Sequence, residues 1–134
     1  MKNLFLDDIR TLRMAFDHTA NTIYLKEEWD IVRNYNEFVN YIETNGVPDM
    51  ISFDHDLADI HYDEEYQSNP INYDGMTEKT GYHCAKWLSQ YCIDNNFKLP
   101  SWLIHSQNVV GGENIDSMML SAKKFIEKYK DETN

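Results

Sequence analysis

Met50-Ile51-Ser52-Phe53-Asp54-His55-Asp56-Leu57 reads as a buried strand that ends in a burst of acid and imidazole. Branched and aromatic side chains suit a pleated, covered ribbon, and the polar run marks its carboxyl end at about Asp54. The same pattern recurs twice: Asn3-Leu4-Phe5-Leu6 runs into Asp7-Asp8-Ile9-Arg10, and Trp102-Leu103-Ile104 runs into His105-Ser106-Gln107-Asn108. In an open α/β sheet, ligands bind outside the carboxyl ends of the strands, where strand order reverses. Four Asp, two His and an Arg are therefore expected at one edge of one sheet, although most of the chain separates the first from the last. The chain reads as a small enzyme.

Around these runs, strand-like and helix-like patterns alternate. Residues 3–7 form the first expected strand, followed by a helix from Ile9 to about His18 with Leu12 and Phe16 on one face. Trp29 to Arg33 alternates like a strand, and Asn36 to about Thr44 carries Phe38, Val39 and Ile42 at helical spacing. Asn45-Gly46-Val47-Pro48 is a helix stop and a turn. Thr80 to about Asp94 is a further helix, and Glu113 to about Lys130 is the last, with a wide apolar stripe of Ile115, Met118, Met119, Ala122, Phe125 and Ile126. Such alternation implies right-handed crossovers and a mainly parallel sheet.

One domain accounts for all 134 residues. A formal charge of −11 opposes binding to duplex DNA or to an anionic membrane, both of which need a positive footprint. A phosphate substrate needs a local exception to that field, which Arg10, Arg13, a bound cation or a helix amino terminus can provide. With no leader-like segment and no apolar run of about 18 residues, the expectation is a soluble, cytoplasmic protein. Cys84 and Cys92 lie eight apart in one expected helix, about 12 Å of rise and too far for a disulfide, so both should be reduced core thiols.

The stretch from about 58 to 79 is too long for a plain connection, since loops beyond about 12–15 residues are usually functional or disordered. Leaving the sheet directly after Asp56, and carrying Tyr62, Tyr66 and Tyr73, it is either an ordered lid that stacks on a base or ribose, or a mobile acidic insertion.

Three groups of residues can carry chemistry. Asp7, Asp8, Asp54 and Asp56 are hard oxygen ligands suited to Mg²⁺ or Mn²⁺, and crowding them without a cation would be repulsive. Asp8 can alternatively cap the helix that follows. His55 and His105 can serve as general base and general acid near neutral pH, or be buried structural histidines. For His55 the alternation of strand residues points the ring away from Asp54 and Asp56 unless the strand has already ended. His83, in a helix with no paired motif, reads as structural. Gly111-Gly112, just before the expected last helix, would free backbone N–H groups for an anion, joined by Ser106, Asn108 and Asn114. Arg10 either forks onto a phosphate or pairs with Asp8.

Taken together, Leu6-Asp7-Asp8-Ile9-Arg10, Phe53-Asp54-His55-Asp56-Leu57, Gly81-Tyr82-His83 and His105-Ser106-Gln107-Asn108 leading into Gly111-Gly112-Glu113-Asn114-Ile115 resemble the cyclic-phosphate processing receiver-like domain, from Leu4 to about Lys124. The resemblance implies a three-layer α/β/α, receiver-like fold and the processing of cyclic-phosphate ends in nucleotide metabolism or RNA repair. It also exposes a departure from phosphoacceptor receivers. Only one helix follows the His105 strand, so the sheet has about four strands and no fifth one to present a phosphate-binding Lys.

The resulting expectation is a phosphoesterase opening a cyclic phosphate on a small nucleotide or RNA end. His105, His55 and Asp54 would be catalytic, Arg10 and the Gly111-Gly112 segment would hold the phosphate, and Asp7, Asp8, Asp54 and Asp56 would hold Mg²⁺ or Mn²⁺. A module that sequesters a nucleotide uncut and a degenerate receiver used for protein contact are the alternatives. Self-association is left open by the sequence.

Overall fold

The computed structural model describes residues 2–57, 71, 73, 74 and 78–133, with 130–133 described by backbone alone. Along the chain come β1 (Asn3–Leu6), α1 (Leu12–Thr19), α2 (Ile23–Lys26), β2 (Asp30–Val32), α3 (Tyr35–Asn45), β3 (Met50–Phe53), α4 (Gly81–Asn95), β4 (Ser101–Ile104) and α5 (Val109–Thr133). The expected insertion at 58–79 falls largely outside the described residues. Its described residues are Ile71, Tyr73, Asp74, Glu78 and Lys79.

The four strands form one all-parallel sheet in the order β2-β1-β3-β4, with Leu6 beside both Val32 and Phe53, and Phe53 beside Ile104. A receiver-like α/β sheet with four described strands is thus the observed fold, without a fifth strand among the described residues. From β1 the chain crosses to one side, and from β3 to the other. The adjacent tips of β1 and β3 are therefore the point where strand order reverses, and Asp7, Asp8 and Asp54 stand on it.

Alternation along β1 sends Leu4 and Leu6 to one face and Phe5 to the other. On the first face α3, α4 and α5 cover a core of Leu4, Leu6, Phe38, Ile51, Phe53, Leu88, Ile115 and Met119, all fully buried. On the second, α1 and the short α2 pack Ala15 and Tyr24 against Phe5, with Trp29 and Leu103 at the margin. Cys84 and Cys92 are buried free thiols in α4, as their spacing predicts. Among the described residues no helix is long and apolar enough to cross a membrane.

Two helix starts differ from the sequence reading. α1 begins at Leu12, because the Asp7 carboxylate accepts the N–H groups of Ile9 (3.0 Å) and Arg10 (2.8 Å) in a turn, and Thr11 then caps the helix through Met14 N–H. α5 begins at Val109, four residues early, because the Asn108 side chain accepts the Gly111 N–H at 2.9 Å and the Asn108 carbonyl accepts that of Gly112 at 2.8 Å. α2 was not expected. Its four residues follow the left-handed Ala20 that ends α1.

Candidate functional site

The site is built from the tips of β1 and β3. Asp7 is fully buried, and Asp54 is 1% exposed. Between them lies the Arg10 guanidinium, 12% exposed, with Nη1 3.6 Å from Asp7 Oδ2 and 3.5 Å from Asp54 Oδ1. Arg10 reaches this position because the turn that Asp7 stabilises is clamped from outside. The Arg33 guanidinium, at the end of β2, donates to the Asp7 carbonyl (3.0 Å) and the Arg10 carbonyl (3.1 Å). Arg10 thus pairs with Asp7 and Asp54 rather than with Asp8.

Asp7, Asp8 and Asp54 each offer a carboxylate oxygen, all within 4.8 Å of one another. The like charges of Asp7, Asp56 and Asp8 bear on Asp54, with Arg10 opposing them. Burial raises the Asp54 carboxyl to a pKa of about 8, with the charge of Asp7 adding to the rise and Arg10 opposing it. Asp54 Oδ1 accepts the His55 N–H at 2.9 Å, whereas Oδ2 is buried without a hydrogen-bond partner among the described residues. A three-oxygen hard-donor set with an orphaned carboxylate oxygen fits a divalent cation such as Mg²⁺ or Mn²⁺. Asp56 lies outside that set and serves His55 instead.

His105 sits beneath Asp7. Its ring stacks on Phe5 (centroids 4.5 Å, 10°), Nε2 lies 3.0 Å from Asp7 Oδ2, Nδ1 lies 2.7 Å from Ser52 Oγ, and Ser52 Oγ lies 2.7 Å from Tyr24 Oη. Burial holds the imidazole below its usual pKa against the pull of Asp7. In the neutral ring Nε2–H donates to Asp7, Nδ1 accepts from Ser52, and Ser52 accepts from Tyr24, which satisfies every member of the chain. Burial also works to raise the Asp7 carboxyl, but His105 and the backbone N–H groups of Arg10 and Ile9 outweigh it and hold Asp7 below the usual carboxylate range. Both ring nitrogens of His105 are engaged inside the core, where the imidazole orients Asp7. Ser52→Ala should leave Nδ1 without its donor and cost about 1–3 kcal/mol in urea denaturation. An unchanged midpoint would mean that the Tyr24–Ser52–His105 chain holds nothing.

His55 belongs to a second group on the α4–α5 side. The strand ends at Phe53, so alternation no longer fixes the ring, and Asp56 comes round to meet it. Nδ1 lies 2.8 Å from Asp56 Oδ1, Nε2 lies 2.8 Å from Tyr73 Oη, and Asn114 Nδ2 donates to Tyr73 Oη at 2.9 Å. Asn108 Nδ2 adds a long contact to Asp56 Oδ1, 3.4 Å. The arrangement is a carboxylate–imidazole–hydroxyl series: in the neutral ring Nδ1–H donates to Asp56 Oδ1 and the Tyr73 hydroxyl donates to Nε2. Two glycines make it possible. A Cβ on Gly111 would stand 2.3 Å from His55 Cγ, and one on Gly81 would stand 1.8 Å from the Asp54 carbonyl oxygen.

Of the residues singled out from sequence, the fold brings Asp7, Asp8, Asp54 and Arg10 into one cluster, and His55, Asp56, Asn108 and Asn114 into its neighbour. The anion cradle expected at Gly111-Gly112 does not form. Both glycines are buried inside the first turn of α5, and their N–H groups are taken by Asn108. Ser106 Oγ accepts the Asn108 N–H at 3.1 Å and supports that turn. His83 accepts the Thr80 N–H at 2.9 Å, capping α4 as a structural histidine. Sequence reasoning gave no role to Ser52, Tyr24 or Arg33, and quoted Gly81 only as part of a motif. Of the first three, Arg33 carried a signal, since it ends a strand at the same sheet edge.

The cyclic-phosphate processing receiver domain, as a family, matches residues 2–121 of the chain. No curated protein and no solved structure matches it.

Proposed function

The chain belongs to the cyclic-phosphate processing receiver family, and from that premise we propose that it is a metal-assisted phosphoesterase that opens a cyclic phosphate on a small nucleotide or an RNA end. The observation that carries this reading is the Asp7–Asp8–Asp54 cluster at the reversal of strand order, with Arg10 between two of its carboxylates and one Asp54 oxygen unpartnered among the described residues. Mg²⁺ or Mn²⁺ held by these three residues would supply the positive charge that a phosphoryl oxygen requires. Arg10 contributes a fixed guanidinium beside the same place, offsetting the charge of −11 where an anion must approach.

In the reaction, water adds to phosphorus, one ring P–O bond breaks, and the proton lost by the water ends on the departing ribose oxygen. His55, like His105, is buried with both ring nitrogens engaged, but its Nε2 partner is the hydroxyl of half-buried Tyr73 rather than a core serine, so His55 is assigned the proton transfer through that hydroxyl, with Asp56 fixing its tautomer. His105 acts instead by fixing Asp7, a role in which second-sphere losses weaken metal binding by about 10–100-fold.

The test is ³¹P NMR of the protein with 2′,3′-cyclic mononucleotides, cyclic dinucleotides and ADP-ribose cyclic phosphate, with Mn²⁺ and then with chelator. Conversion of one cyclic resonance to a monoester, dependent on Mn²⁺, is the expected result. Line broadening without conversion would instead favour a sequestering module, and full turnover in chelator would remove the carboxylates from any metal role.

A further inference from the structure

The proton-carrying series around His55 ends at Tyr73, and Tyr73 is also a wall of a cavity of about 400 Å³ between α4 and α5. The opposite wall is the α5 face bearing Asn114, Ser117 and Ser121, one and two turns apart, with Met118 beside them. Tyr73 is stacked on Tyr82 of α4, with centroids 4.1 Å apart and planes at 18°. None of the described residues lining the cavity carries a charge. Among the described residues, Arg10 and Arg33 bring guanidinium groups to the β1 side of the proposed chemistry.

We propose that this cavity is the subsite for the nucleobase of the substrate, so that the ligand is a nucleoside carrying its cyclic phosphate rather than a phosphorylated sugar alone. The inference rests on the phosphoesterase reading above and names its substrate class. A neutral aromatic wall facing amide and hydroxyl groups matches a planar heterocycle with donors and acceptors on its edge. Base–aromatic stacking tolerates any base, and the polar α5 face would supply the discrimination. The volume lies within the range of ordinary ligand pockets, about 300–1,000 Å³. A phosphate would find no positive group among the described residues of this lining, and is placed by the proposal at Arg10 and the carboxylate cluster. The Tyr73 hydroxyl, hydrogen-bonded to both His55 and Asn114, joins the two halves: a base seated in the cavity sits one hydroxyl away from the imidazole that serves its own phosphate.

The experiment fills the cavity from the exposed face of α5, where Ser117→Leu and Ser121→Leu add volume to exposed helical positions outside the catalytic cluster. KM for adenosine and uridine 2′,3′-cyclic monophosphate should rise about tenfold or more in either variant, the size of a lost stacking contact. Turnover of methyl riboside 2′,3′-cyclic phosphate, which has no base, should be unchanged. Nucleotide kinetics equal to the parent protein's in both variants would overturn the subsite while leaving the phosphoesterase reading intact. Should the parent hydrolyse nothing, amide shifts at Ser117 and Ser121 on adding adenosine or uridine, lost in Ser117→Leu, would sustain the subsite and reject hydrolysis. No shifts would reject the subsite as well.

Discussion

Asp54→Asn is expected to stabilise the metal-free protein at pH 8 while abolishing its response to Mg²⁺ or Mn²⁺ and lowering turnover by about 10²–10³. The physical cause is the position of Asp54 at the reversal point of the sheet, 1% exposed and facing Asp7. Its carboxyl pKa rises from the ordinary 3.8 to about 8. Between those values the folded chain keeps a proton that the unfolded chain releases, so stability is fully present below about pH 4 and declines as pH rises to 8.

Each pKa unit corresponds to about 1.4 kcal/mol, and even part of the rise is a large share of a small domain's stability. Asn carries no charge at any pH and mimics the protonated acid in shape. The wild-type melting temperature without metal should therefore fall from pH 5 to pH 8 and recover on adding Mg²⁺. The variant should melt at nearly constant temperature and, at pH 8, at least about 5 °C higher than wild type. Identical melting curves for the two proteins at pH 8, with identical Mg²⁺ response, would reject Asp54 as the strained member of the cluster.

Gly81→Ala is the second change with a large expected effect. The added Cβ would lie 1.8 Å from the Asp54 carbonyl oxygen and 3.1 Å from His55 Cα, both backbone atoms that cannot rotate away. The start of α4 would have to lift from the sheet, stretching the 2.8 Å bond from Gly81 N–H to the His55 carbonyl and displacing Asp54 itself. Overpacking of a close-packed interior typically costs about 1–3 kcal/mol, and an immovable backbone obstacle puts this case at or above the upper end.

Gly111→Ala meets the His55 ring at 2.3 Å, a clash that the ring can relieve only by leaving Asp56 and Tyr73, so its expected signature is loss of turnover with a smaller loss of stability. Gly112→Ala is the control. Its Cβ meets only the Ile104 side chain at 3.2 Å, and Ala gains about 0.5–1 kcal/mol over Gly within a helix. Urea denaturation of the three variants should give midpoints ordered Gly112→Ala, Gly111→Ala, Gly81→Ala from most to least stable. A Gly81→Ala midpoint matching that of Gly112→Ala would show that the α4–β3 contact is loose.

The parallel α/β plan is legible in the order of the residues alone. Strand runs such as Leu4–Leu6 and Ile51–Phe53 must be covered on both faces, and the change to carboxylates directly after them marks where each strand stops, so strand ends and a shared functional edge are written in local hydrophobicity. It also placed Asp7, Asp8, Asp54 and Arg10 together, because strands that run the same way bring their carboxyl ends to one edge.

Which partner each side chain takes at that edge was decided only by the tertiary structure. His55 and His105 look alike in sequence, each the polar residue closing a strand run. Yet His105 is pinned between Ser52 and Asp7, buried against Phe5, whereas His55 turns to Asp56 and Tyr73. The glycines divide in the same way. Gly111 and Gly112 look like a loose turn until Asn108 starts α5 four residues early and spends their N–H groups, and Gly81 is one letter of a motif with no physical reason until α4 lies against the Asp54 carbonyl. Hydrophobic periodicity reports which face of an element is covered. Hydrogen-bond partners and close backbone approaches depend on residues up to 98 positions away, which no local window contains.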